Sequence, residues 1–84
     1  MSLVDELRRA AAEATEKSTH LQAALEDVVK GIEEVQAVLH QIGSSQDWLF
    51  EADGVLGMAS QSAAQTKNSI AAARYAIEQY AAAL

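Results

Sequence analysis

Apolar residues recur along the chain at alternating steps of three and four, in two long rows. The first row is apolar except at Ser18 and reads Val4, Leu7, Ala11, Ala14, Ser18, Leu21, Leu25, Val28, Ile32, Val35, Leu39, Ile42. The second is apolar except at Thr66 and reads Leu49, Ala52, Leu56, Ala59, Ala63, Thr66, Ile70, Ala73, Ile77, Tyr80, Leu84. This spacing is typical of helices that pack side by side at a shallow angle, whereas strands need a period of two. The pattern predicts an all-α fold.

The two rows are separated by the segment Gly43-Ser44-Ser45-Gln46-Asp47. Glycine is favoured just beyond a helix end, and Ser or Asp is favoured at the cap of the next helix. Ser2 with Asp5, and Ser44 with Asp47, have the three-residue spacing of a capping box. We expect helices over about 3–42 and about 46–83, joined by a turn over 43–47. A short connection predicts one domain, an antiparallel two-helix hairpin resembling a coiled coil.

Two interior features of the rows leave alternatives open. Gly54 and Gly57 could kink the second helix or delay its start to Val55, but the apolar repeat passes through them without a slip and favours a continuous helix. Ser18 and Thr66 could fix the register or the number of partners, although a lone hydroxyl more often bonds the carbonyl one turn earlier.

The apolar stripe of the first helix is too wide for a single partner helix, because it spreads onto Leu3, Ala10, Ala24 and Val38. A bundle of three or four helices would cover it better. We therefore expect a second chain, identical or different, to complete a four-helix bundle. The predicted oligomer core comprises the larger members of both rows: Leu21, Leu25, Val28, Ile32, Val35, Leu39, Leu56, Ile70, Ile77, Tyr80.

The remaining faces of the two helices differ in charge. The first helix is acidic, with Asp5–Arg9, Glu13–Lys17 and Glu26–Lys30 at the spacing of helix-stabilising ion pairs. The second helix has a row of small residues with aromatics at both ends, which we interpret as a partner-binding surface. Its members, together with Trp48 at the helix start, are Phe50, Gly54, Gly57, Ala64, Ala71, Tyr75. The alternatives are an ordinary alanine-rich surface, and a Trp48 that covers the end of the bundle.

Composition narrows the function classes. A net charge of −6 argues against nucleic-acid binding, which requires clustered Lys and Arg. No Cys is present, and His20 and His40 have no convergent ligands, so we expect no metal site. The chain offers no phosphate loop and no set of nucleophile, base and orienting group. We expect no enzyme activity, cofactor or small-molecule ligand.

No apolar run reaches the length of a transmembrane helix, and no signal-peptide core follows a basic start. The sequence therefore predicts a protein without a transmembrane segment. We expect it to be cytoplasmic, or exported without a cleaved signal peptide.

In its length, in the position of Trp48, and in an alanine-rich second half ending in Tyr75 and Tyr80, the chain resembles the WXG100 family of small type VII secretion proteins. Trp48-Leu49-Phe50 stands where that family has Trp-x-Gly, and the family's tail motif Tyr-x-x-x-Asp/Glu is absent, since Gln79 and Leu84 occupy its last position. The resemblance implies a helical hairpin that dimerises into a four-helix bundle, and export through a secretion system.

Two functions fit these observations. The first is an interaction module that self-associates or pairs with a related helical protein. The second is a structural subunit that packs through its second helix into a larger assembly or filament. A closed bundle would have one fixed mass, whereas a filament would grow with concentration.

Overall fold

The computed structural model describes residues 2–43 and 47–84 of the chain. It contains two α-helices, α1 over Leu3–Ile42 and α2 over Asp47–Ala83, and no strand within these residues. The all-α hairpin expected from the apolar rows is confirmed. The predicted cap at Ser44 and most of the predicted turn lie outside the described residues.

The ends of α1 follow from two residues. Ser2 has an extended backbone, and its hydroxyl accepts a hydrogen bond of 3.2 Å from the Asp5 N–H, which confirms the predicted cap. At the other end, Gly43 has φ 105° and donates its N–H to the Leu39 carbonyl at 3.2 Å. The positive φ confirms the need for glycine, although ψ of 130° differs from the left-handed helical value.

The second helix is continuous through Gly54 and Gly57, as the unbroken repeat predicted. Ser18 and Thr66, the two polar interruptions of the apolar rows, form the local hydrogen bonds that are common for lone hydroxyls in helices. The Ser18 hydroxyl donates to the Ala14 carbonyl at 2.7 Å, and the Thr66 hydroxyl donates to the Ser62 carbonyl at 3.0 Å. Both bonds run one turn back within a single helix, so neither hydroxyl links the two helices.

The helices lie antiparallel along their whole length, and the Cα atoms extend over 64 × 14 × 13 Å. The residue numbers of three polar pairs across the seam each add up to 93: Thr19 with Arg74, Glu26 with Lys67, His40 with Asp53. A constant sum means that the register does not slip between these levels. Residues of α1 and α2 at the same level can therefore be identified along the hairpin.

The core between the helices is thin. Three described residues are less than a tenth exposed, namely Leu49 at 4%, Ala11 at 8% and Ala63 at 9%. The larger seam residues are only partly buried: Leu7, Leu25, Ile32, Leu39, Leu56, Ile70, Ile77. The accessible surface is 6052 Å², against about 4,800 Å² for a compact monomer of 8.9 kDa. The hairpin therefore exposes about a quarter more surface than a globular chain of its size.

Candidate interaction faces

Polar side chains cross the seam on one side of the hairpin, which we call the charged flank. Arg74 donates to the Thr19 hydroxyl at 3.2 Å and to the Gln22 side-chain oxygen. Lys67 Nζ lies 2.6 Å from Glu26 Oε1. Near the turn, Gln36 donates to the Asp53 carbonyl at 3.3 Å, and His40 Nε2 lies 3.2 Å from Asp53 Oδ1. The charged flank is defined by these residues: Thr19, Gln22, Glu26, Gln36, His40, Asp53, Lys67, Arg74.

The ion pairs differ partly from those expected within α1. Glu13 and Lys17 form the predicted pair at 3.2 Å. Glu26, expected to pair with Lys30, pairs instead with Lys67 of α2. The hydrogen bond from Lys67, and then its charge, lower the pKa of Glu26 below its ordinary value, and Lys30 contributes a smaller electrostatic effect. The charge of Glu26 therefore links the two helices.

An open groove of about 330 Å³ lies midway along the charged flank. Its lining comes from both helices: Glu26, Val29, Lys30, Glu33, Ala64, Lys67. Two carboxylates and two ammonium groups balance each other, so the groove offers no net charge to an ionic ligand. Its apolar part consists of one valine and one alanine, too little to hold a buried ligand of drug size.

The small-residue row of α2 does not face wholly away from α1, as the sequence had suggested. Gly57 and Ala71 are partly buried, and a methyl group at Gly57 would lie 3.8 Å from Gln36 Nε2. Ala64 is exposed but lines the groove. These positions each follow a seam residue by one, which is a rotation of only 100°. The outward prediction is wrong for Gly57 and Ala71.

The aromatic ends of that row are exposed, with Phe50 at 71% and Tyr75 at 64%, and Gly54 between them is also exposed. Partner binding by this row stays a prediction. Trp48 is likewise exposed, but it precedes Leu49 by one position and so lies on the other side of the seam.

The side of the hairpin opposite the charged flank is apolar and uncovered. Five large α1 side chains there are between 49% and 65% exposed: Leu21, Val28, Val35, Val38, Ile42. Leu21, Val28, Val35 and Ile42 lie three or four positions from the seam residues Leu25, Ile32 and Leu39, on the side away from Gln22 and Gln36. Val38 lies on the same side and directly precedes Leu39. Residues at this spacing share one helix face. The row is therefore a second apolar stripe that α2 does not cover.

The matching positions of α2 follow from the same geometry. Asp53, Lys67 and Arg74 come four positions after the seam residues Leu49, Ala63 and Ile70 and reach the charged flank. Positions three after or one before a seam residue therefore point to the opposite side. They carry no charge at any level: Trp48, Ala52, Val55, Ala59, Ser62, Thr66, Ser69, Ala73, Ala76, Tyr80.

We call this surface the open face, formed by those α2 positions and by Ala14, Lys17, Leu21, Ala24, Val28, Val35, Val38 and Ile42 of α1. Lys17 is its one charged residue. The predicted oligomer core divides between two places. Six members are partly buried in the seam: Leu25, Ile32, Leu39, Leu56, Ile70, Ile77. Four are exposed on the open face: Leu21, Val28, Val35, Tyr80.

Sequence reasoning missed the cross-helix links of the charged flank, because local spacing rules pair residues only three or four positions apart. The sequence nevertheless contained a signal for these cross-helix links. Folding the chain about its glycine turn brings Glu26 level with Lys67, and opposite charges at one level indicate a contact. The same folding brings His40 level with Asp53.

In comparisons with known proteins, no family model, curated protein or solved structure matches the chain. The resemblance to the WXG100 family stays a prediction. Within residues 2–43 and 47–84, neither helix has a stretch both long and apolar enough to cross a membrane. The same residues contain no group of three or more His, Cys, Asp or Glu side chains that could hold a metal ion.

Proposed function

We propose that this chain is a non-catalytic interaction module that packs its open face against another helical hairpin, forming a four-helix bundle. The observation that supports the proposal best is the uncovered apolar row of Leu21, Val28, Val35, Val38 and Ile42, which lies beside an uncharged side of α2. A stripe of this kind on a helix pair is the surface that coiled-coil packing buries.

The open face is large enough for a stable interface. It runs along a hairpin 64 Å long and is about 20 Å wide, at about 10 Å per helix, which gives about 1,300 Å². Specific complexes bury about 800 Å² per partner. Completing the burial of each half-exposed Leu, Ile or Val side chain would contribute about 1 kcal/mol. Because few side chains are buried in the seam of a single hairpin, this contribution would be a significant part of the stability of the chain.

Two exposed alanines of α2 provide a matched test. Ala59 lies on the open face, and Ala64 lies on the charged flank. Ala59→Glu would bury a charge in the bundle and should weaken association a hundredfold or more, whereas Ala64→Glu should have little effect. Sedimentation velocity measures the mass of each variant, and circular dichroism reports whether the helices persist.

The outcomes show which surface of the hairpin binds the partner. Loss of association confined to Ala59→Glu supports the open face. Unchanged association in both variants would contradict it. Loss confined to Ala64→Glu would place the partner on the small-residue row of α2 instead.

A second function, packing of α2 into a larger helical assembly, is favoured by the exposure of Phe50 and Tyr75 outside the open face. Such an assembly would grow with concentration, because a contact between two different surfaces does not close on itself. Sedimentation over a hundredfold range of concentration distinguishes the two functions. A single mass supports the closed bundle, and a mass that increases steadily supports the open assembly.

A further inference from the structure

We propose that the partner of the open face is a second copy of this chain, with both turns at the same end of the bundle. The twofold axis then runs along the bundle, and α1 of each copy packs on α2 of the other. This inference rests on the proposed function, and it adds the identity and the orientation of the partner.

The sizes of the side chains on the open face support this orientation. A twofold axis along the bundle preserves levels, so each α1 residue faces the α2 residue found beside it within its own hairpin. Three large side chains of α1 then face alanines of α2, as close packing between helices requires, while Val28 faces Thr66, which has a similar size. The pairs formed between copies are Leu21 with Ala73, Val28 with Thr66, Val35 with Ala59, Ile42 with Ala52.

The relation reverses near the chain termini, where α1 has Ala14 and α2 has the large Tyr80 at the same level. The small α1 residue faces the large α2 residue there. Ala24 faces Ser69, and at one further level two valines, Val38 and Val55, face each other. Large residues thus face small ones at four levels, which lie in both halves of the hairpin, without a shift in register.

Charge favours the same orientation. The outer edge of α1 that borders the open face carries four exposed acids at seven-residue multiples: Glu6, Glu13, Asp27, Glu34. The corresponding edge of α2 carries the acid Glu51, and otherwise neutral residues: Met58, Gln65, Ala72, Gln79. In the proposed dimer each acidic edge runs beside a nearly neutral one, which avoids repulsion between like charges.

The opposite orientation, with the two turns at opposite ends, would pack α1 on α1 and α2 on α2. The acidic edges of the two copies would then adjoin each other. The small α2 residues of the two copies would also face one another and leave gaps. Repulsion between the acidic edges and gaps between the small side chains both disfavour this orientation.

The chain has no cysteine, so a single introduced thiol gives one label per copy. Gln41→Cys places a nitroxide on an exposed position near the turn. Double electron–electron resonance then measures the distance between copies. With the turns together, the labels should be about 25 Å apart, across the diagonal of the bundle. With the turns at opposite ends, the separation should be about 50 Å, at 1.5 Å per residue.

A distance near 25 Å supports the proposal. A distance near 50 Å in a species of dimeric mass would overturn the orientation while leaving the bundle of the proposed function intact. A monomeric mass without any distance between labels would overturn the second copy as partner. Failure of the proposed function itself would be recognised separately, by a dimer whose mass is insensitive to Ala59→Glu.

Cross-linking provides a second measurement that does not depend on the label. A tagged Val35→Cys chain mixed with an untagged Ala59→Cys chain should form a mixed disulfide dimer, because these residues face each other between copies. Each variant oxidised alone should cross-link far less, since identical residues of the two copies lie diagonally across the bundle. Efficient cross-linking of the Val35→Cys variant with itself, and none in the mixture, would contradict the arrangement.

Discussion

Lys67 Nζ and Glu26 Oε1 lie 2.6 Å apart, although 41 positions separate them in the chain. The pair lies at the middle level of the hairpin, between the Arg74 contacts towards the termini and the His40–Asp53 contact towards the turn. Together these links fix which side of each helix faces the charged flank. By doing so they also fix which apolar side chains remain on the open face.

Acid should weaken the Glu26–Lys67 link. The pKa of Glu26 is lowered in the folded chain, chiefly by the hydrogen bond from Lys67. A lowered folded pKa means that the link stabilises the hairpin above the ordinary value of 4.5, and that this contribution is lost as pH falls through the folded pKa. Glu26→Gln should therefore lower the Tm at pH 7, and the difference from the parent should shrink towards pH 3.

Glu34→Gln is the control for this titration, because Glu34 is exposed and makes no ion pair among the described residues. It removes the same charge from α1 and should show little of the pH-dependent difference. Thermal unfolding followed by circular dichroism at several pH values gives the comparison. A Glu26→Gln difference that stays constant from pH 7 to pH 3 would contradict the link.

A charge in the seam and a charge on the open face should have different consequences. Ile32→Asp enters the seam and should remove most of the helical signal together with association, at a cost of several kcal/mol. Val35→Asp lies on the open face and should abolish association while retaining more of the helical signal than Ile32→Asp. Circular dichroism and sedimentation of the same samples test both statements. Equal loss of helicity in the two variants would contradict the distinction between a seam position and an open-face position.

Two glycines should respond to alanine with opposite signs. Gly43 has a positive φ, so Gly43→Ala should destabilise the hairpin by about 1 kcal/mol. Gly54 lies inside α2, and an added methyl group meets nothing within 4 Å, so Gly54→Ala should stabilise by about 1 kcal/mol. The midpoint of urea unfolding measures both changes. A stabilising Gly43→Ala would show that the turn does not require a positive φ.

The Ser2 cap should contribute measurably to α1. Its hydroxyl accepts from the Asp5 N–H, and replacing such a cap by alanine costs about 1 kcal/mol. Ser2→Ala should therefore lower the Tm, whereas Ser69→Ala, which removes a hydroxyl bonded one turn back in α2, should be neutral or slightly stabilising. Equal destabilisation by both substitutions would mean that the Ser2 hydroxyl has no capping role.

Local chemistry along the chain was sufficient to predict the helices. The steps of three and four define two helical stripes, Ser2 has the residue type and spacing of a cap, and Gly43 can adopt the positive φ that ends α1. The bounds of α1, the continuity of α2 and the antiparallel pairing follow from such signals, because each depends on residues close together in sequence. The excess width of the α1 stripe also indicated that one partner helix would not cover it.

The rotation of each helix about its own axis could not be predicted in this way, because Leu25 and Val28 are equally apolar and adjacent on a wide stripe. Tertiary structure selects between them. Turning Leu25, Ile32 and Leu39 towards α2 brings Gln22, Glu26 and His40 within reach of Arg74, Lys67 and Asp53. The opposite rotation would leave those polar groups unpaired. The same choice leaves Val28 and Val35 exposed, and moves Gly57 and Ala71 from the outer side to the edge of the seam.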